Sequence, residues 1–384
     1  MLDSAKIQEE DAENANRHHY TKHHPAKPLY TFAEARRCFN YFRTEDDDTH
    51  LELNEHINFR FKLSGHILGA CSIEITCYGK TIIFSGDLGR KHSPILADPV
   101  KLAQADYIIM ESTYGDRIHS NNDPYTDLET WINRTLENSG QIIIPSFAVG
   151  RAQELLYIIH TLKSQNRIPL NLPVIMDSPM AASATEIMLN YADEFTEVSA
   201  KKWRELLARV KVNVEYTQTL RTLKDDRSKI IIAASGMLSG GRVLEYLKHY
   251  ISDSKNSGIL IGFQAEGTRG RALLNGTHEL KIHGQYFPVR AKVAEIFGLS
   301  AHADQTELMR WVTAIGVRAK QIFLVHGEAT AQQTLRVKIQ TELGFPVTIA
   351  KQGEDHVLFT CGALASSTKP INHNKGQDEQ HNVI

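Results

Sequence analysis

Residues 141–250 of this chain read as three successive units of apolar strand, small-residue loop and helix: QIIIPSFAVGRAQELLYIIHTLK, LPVIMDSPMAASATEIMLNYA and KIIIAASGMLSGGRVLEYLKHY. Short apolar runs without alternation are strands that water reaches on neither face. Strands separated by helices pair in parallel, with the helices covering both faces of the sheet. A further buried strand follows at GILIGFQAEG. The flanking sequence obeys a different rule. HINFRFKL and CSIEITC alternate apolar and polar residues at period two, and Tyr78-Gly79-Lys80 turns the second of them into TIIFSGD as a hairpin. ADYIIM runs into Glu111, and NNDPYTDLETWINRTLE opens a helix behind polar caps. From about residue 285 strands resume, with AKVAEIFGLSAH, QIFLVHGE and PVTIAKQ, and the helix AQQTLRVKIQTELG between the last two. The pattern predicts a β-rich domain, residues 1–118 and 291–365, interrupted by an α/β insert at 119–290. The tail, 366–384, has almost no apolar content and is expected to be disordered.

Composition narrows the function classes. The 384 residues suffice for two cores, and 42% hydrophobic with 23% charged content is that of an ordinary globular protein. A net charge of −2 gives no bulk electrostatic attraction to nucleic acid, so such a partner must be recognised locally. Four cysteines without a CxxC pair fit small buried hydrophobes in a reducing compartment. No apolar run approaches the roughly 18 residues a membrane span needs, and the opening stretch MLDSAKIQEEDAENANRHHY has no signal-peptide core. A cytoplasmic location with no membrane partner is expected. The histidine-rich stretch holding His18, His19, His23 and His24 sits among Arg17, Lys22 and Lys27 without a carboxylate or cysteine, and is expected to be a solvated loop.

Five polar residues carry the chemistry. His66 in KLSGHILGA, Asp87 in IIFSGDLG, Glu111 in IIMESTYG and His326 in IFLVHGE each follow an apolar strand, and His302 in FGLSAHAD ends a similar stretch. Side chains at strand ends converge on one edge of a sheet. Two histidines with an aspartate form a typical zinc donor set. The loops SFAVGR, SPMAAS and SGMLSGGR of the insert present small residues and helix-end N–H groups suited to phosphates, with Arg151 and Arg242 adding charge. No GxGxxG or P-loop pattern supports a nucleotide cofactor.

Taken together these motifs resemble the β-CASP group of the metallo-β-lactamase superfamily, which includes RNA-processing nucleases. GHILGA resembles the third metal motif of that family and SGDLG the fourth, whose aspartate bridges two zinc ions. ESTYGD, SAHAD and LVHGE resemble β-CASP motifs A, B and C, and PSFAVGRAQEL, SGMLSGGRVLEYL and GFQAEGTRGRAL match its insert. The resemblance implies an α/β fold, a metallo-β-lactamase αββα sandwich with an inserted β-CASP domain. It implies metal ligation by His66, Asp87 and His326, a catalytic His302 oriented by Glu111, and single-stranded RNA as partner. Ser300, Ser146, Arg151, Ser235, Gly236 and Arg242 are the expected phosphate or RNA contacts. One departure is large: the HxHxDH motif, which supplies further ligands in the family, does not occur in this sequence. With the other motifs intact, truncation rather than drift is expected, leaving the sandwich incomplete at its N-terminus. Zinc binding is then expected to be weak or partial and activity impaired or absent, with oligomerisation through uncovered strands. A non-catalytic RNA-binding subunit and a small-molecule metallo-hydrolase are the alternatives.

Overall fold

The computed structural model of the protein describes residues 1–360 apart from positions 20, 22, 23, 47, 120–122, 197 and 297. His23 and the tail expected to be disordered lie outside the described residues. Strands β1 (Leu51–Asn54), β2 (Ile57–Leu63), β3 (Cys71–Cys77), β4 (Lys80–Phe84) and β5 (Tyr107–Met110) come first. The insert supplies β6 (Ile142–Pro145), β7 (Val174–Asp177), β8 (Lys211–Asn213), β9 (Ile230–Ala233), β10 (Ser257–Ile261) and a hairpin of β11 (Glu279–Ile282) and β12 (Gln285–Pro288). Then follow β13 (Lys292–Ile296), β14 (Gln321–Leu324) and β15 (Val347–Ile349).

The outer sheet has seven strands in the order β1-β2-β3-β4-β5-β14-β15. Its first four form an antiparallel meander, and β4, β5, β14 and β15 pair in parallel. Register assigns the faces. Ile83, Ile108, Met110, Ile322 and Leu324 pack on Leu308 and Val312 of the helix Gln305–Ile315 and on Leu335 and Ile339 of the helix Ala329–Leu343. On the opposite face Phe61 opposes Ile73 and Phe59 opposes Ile75; Ile73 and Ile75 in turn oppose Phe84 and Ile82. None of these six is fully buried, and Phe84 is 40% exposed. Residues near the end of the described chain cover part of this face: the Tyr107 hydroxyl donates to the Leu358 carbonyl, and Phe359 stacks on the Tyr107 ring.

The inner sheet is wholly parallel, in the order β13-β10-β6-β9-β7-β8. Every residue of β6, β7, β9 and β10 is buried. Alternate isoleucines divide between two cores. Ile142, Ile144, Ile230, Ile232, Ile259 and Ile261 enter one, and Ile143, Ile231 and Leu260 enter the other. The unalternating apolar runs therefore mean what their composition implied.

Two segments lie elsewhere than the sequence suggested. The sequence pattern puts AKVAEIF in the outer domain, yet β13 pairs along its length with β10 and is an edge strand of the inner sheet. Its alternate burial, with only Ala294 and Ile296 buried, fits an edge strand, and the pairing with β10 places that edge in the inner sheet. The same pattern puts residues 1–50 in the outer domain. Their helix Leu2–His18 touches the insert helix Pro179–Phe195 and sets Asp11 beside Gly240. No helix among the described residues is long and apolar enough to cross a membrane.

Candidate functional site

Strand direction explains why the five polar residues meet. Because β2 and β4 are both antiparallel to β3, they run the same way, and β5 and β14 are parallel to β4. The carboxyl ends of β2, β4, β5 and β14 thus share one edge, and His66, Asp87, Glu111 and His326 lie just beyond them. His302 arrives on the loop between β13 and the helix Gln305–Ile315, whose start is fixed by a capping box. Asp304 accepts the Glu307 N–H at 2.9 Å and Glu307 accepts the Asp304 N–H at 3.1 Å. The loops pack backbone to backbone. A Cβ on Gly89 would lie 2.1 Å from the Gly65 carbonyl oxygen, so only glycine permits the approach, and Gly89 also bridges to His302.

Asp87 is the centre of the arrangement. Its two oxygens lie 3.6 Å from His66 Nε2 and 3.3 Å from His326 Nδ1. Burial pushes the His66 imidazole down to about 4, with the neighbouring His302 adding to the effect, so His66 stays neutral in the form that ligates metals. Two imidazoles flanking both oxygens of one carboxylate form a donor set suited to a borderline divalent cation. Among the described residues two three-residue groups have donor atoms within 4.8 Å of one another, His66, Asp87 and His302, and Glu111, His302 and His326, so His66 and His326 share Asp87 but not one compact group. His302 belongs to both groups, a proximity that the sequence did not indicate.

Glu111 is 1% exposed and fully engaged. Its carboxylate accepts the Leu88 N–H at 2.6 Å and the Thr113 N–H at 3.3 Å, and both oxygens lie within 3.1 Å of His302 Nδ1. Burial alone raises its pKa. The His302 hydrogen bond and charge, with Thr113 and Leu88, outweigh that and hold it below the ordinary carboxylate range. With Nδ1 committed to Glu111, the Nε2 side of His302 is left for a ligand.

Two family models match: "Beta-Casp domain" over residues 152–273 and "Zn-dependent metallo-hydrolase RNA specificity domain" over residues 286–350. Ribonuclease TTHA0252 of Thermus thermophilus is 33% identical over 78% of this chain and 69% of its own length. An RNase J-like protein of Methanocaldococcus jannaschii is 32% identical over 87% of this chain and 77% of its own. The endoribonuclease YSH1 of Eremothecium gossypii is 28% identical over 80% of this chain and 41% of its own. The chain belongs to the β-CASP family. Its fold is accordingly of the metallo-β-lactamase type with a β-CASP insert, as the motifs implied.

Within this β-CASP chain the expected phosphate contacts are mostly occupied by the protein itself. Arg151 is buried and paired with Glu154, which also takes Arg90 from the outer domain. Arg242 pairs with the fully buried Asp177 at 2.8 Å and donates to the carbonyls of Asn213 and Val214. Burying a guanidinium requires such partners: Arg242 ties β7 to the end of β8, whereas Arg151 pairs within its own helix and lines a cavity with His66, Arg90 and Glu154. Ser146 donates to the Phe147 carbonyl, Ser235 Oγ accepts the Ser239 N–H, and Ser300 Oγ accepts the His302 N–H. Gly236 is buried against Phe147. Sequence reasoning missed Thr113, whose hydroxyl lies 3.2 Å from His326 Nδ1, and His119, whose Nε2 lies 2.9 Å from the His302 carbonyl oxygen. Thr113 adjoins Glu111 within ESTYG, and that adjacency was the available signal.

Proposed function

We propose that this chain is a zinc-dependent phosphodiester hydrolase acting on single-stranded RNA. The observation that carries the reading is the convergence of His66, Asp87 and His326 beside the Glu111–His302 pair on one sheet edge. His66 with Asp87, and His326 with the other oxygen of Asp87, would hold the metal, which when bound would polarise a phosphoryl oxygen and lower the pKa of water. His302, held through Nδ1 by buried Glu111, presents Nε2 to a phosphate oxygen or to the leaving oxygen. Thr113 steadies both halves, since its N–H reaches Glu111 and its hydroxyl reaches His326. The names of the matched relatives and of the RNA specificity domain support RNA over small esters.

Labelled single-stranded RNA incubated with the protein and zinc tests the proposal. Slow cleavage is expected, since the HxHxDH ligands do not occur in this sequence, with His302→Ala lowering it further by roughly 10²-fold or more. Hydrolysis of thioesters or lactones with RNA left intact would overturn it in favour of a small-molecule hydrolase. A second reading has its own support. Sharing Asp87 between two ions leaves two protein ligands for each, fewer than the usual three, and a protein that binds RNA without metal or cleavage would be a non-catalytic subunit.

A further inference from the structure

The loops at the carboxyl ends of β6, β9 and β10 interlock at one point and leave one aromatic ring outside. Ser146 and Ala148 are buried at 1% and 8% exposure, yet Phe147 between them is 43% exposed. The loop is firmly held. The Ser146 N–H donates to the Ala233 carbonyl, and the Phe147 carbonyl accepts the Ala152 N–H from the helix Arg151–Ser164. The ring and backbone of Phe147 rest on the bare Cα of Gly236, where a Cβ would lie 2.9 Å from both the Phe147 nitrogen and its Cδ2. Gly236 in turn is fixed through its carbonyl, which accepts from Gln264 Nε2 at 3.2 Å. Among the described residues no other ring stacks on Phe147.

Position gives this ring a use. Three residues on, Gly150 adopts a φ of +79° and a Cβ there would lie 2.8 Å from Ile67, the neighbour of His66. The Phe147 loop therefore abuts the loop that carries the metal donor. The next residue but one, Val149, is 39% exposed, so this loop presents apolar surface where the neighbouring Arg151 is already paired. An exposed, rigidly seated aromatic beside a phosphate-cleaving centre suits a nucleobase, because every base has a π-face and stacking needs no sequence match.

We propose that Phe147 is a stacking platform for a nucleobase of single-stranded RNA, next to the phosphate held at the metal site. This rests on the RNA reading above, but not on cleavage. The test uses RNA oligonucleotides carrying a single 2-aminopurine at successive positions. One position is expected to be quenched on binding, and Phe147→Leu, which keeps apolar bulk without a π-face, should lose that quench and bind about tenfold more weakly. Phe147→Tyr should retain both. An abasic site at the quenched position should weaken binding to the unaltered protein by a similar factor, with little added loss in Phe147→Leu. Unchanged affinity and quenching in Phe147→Leu, or no cost of the abasic site, would overturn this inference and leave the RNA reading standing. A protein that binds none of the oligonucleotides would overturn both.

Discussion

The inner and outer sheets divide the work of this molecule unequally. The inner sheet buries every residue of four of its strands and splits them between two cores. The outer sheet buries one face under two helices and leaves much of the other, with β2 half-exposed along its whole length. Yet the outer sheet carries all four strand-end residues of the proposed centre. Site placement follows strand direction and loop packing at one edge, whereas resistance to unfolding follows two-sided burial.

Paired truncations give the sharpest way to break that contrast. Ile231→Ala, in the middle of the inner sheet, is expected to cost about 2–5 kcal/mol, because a fully buried side chain leaves a cavity. Ile75→Ala, on the open face of the outer sheet, should cost less than about 1 kcal/mol, since water already reaches the site. Denaturant midpoints of the two variants check this, and equal costs would mean that the open face is covered in solution.

A smaller effect concerns the edge itself. Glu111→Gln removes a buried carboxylate that accepts several hydrogen bonds, and at neutral pH the loss should be about 1.5–3 kcal/mol. Because the folded pKa of Glu111 lies below its ordinary value of 4.5, its stabilisation is fully present above that value and lost as pH falls through the lower, folded one. The deficit of the variant should therefore shrink in acid. A deficit that grows as pH falls would contradict the assignment of Glu111 as an ionised partner of His302.

How much of this was legible in the residues differs between the sheets. The isoleucine runs of β6 and β9 announced two-sided burial because nothing polar interrupts them. The four strand-end residues and His302 were visible as a set because each follows an apolar run. AKVAEIF misled because its period of two suits either an outer strand or the edge of a parallel sheet, and only pairing decides. The partners of Arg151 and Arg242 were unequally legible, since Glu154 stands three residues on along the same helix whereas Asp177 is brought to Arg242 only by the pairing of β7 in the sheet. The helix Leu2–His18 gave no sign of its partner because its buried residues are only the alanines Ala5 and Ala15.

Metal uptake tests the central claim most directly. Zinc titrated against the protein in competition with a chromophoric indicator should show binding, and Asp87→Ala should weaken it by about tenfold or more, since Asp87 is the group that both His66 and His326 face. Equal zinc affinity in the Asp87→Ala variant, or no uptake by the unaltered chain, would contradict a metal centre at this sheet edge.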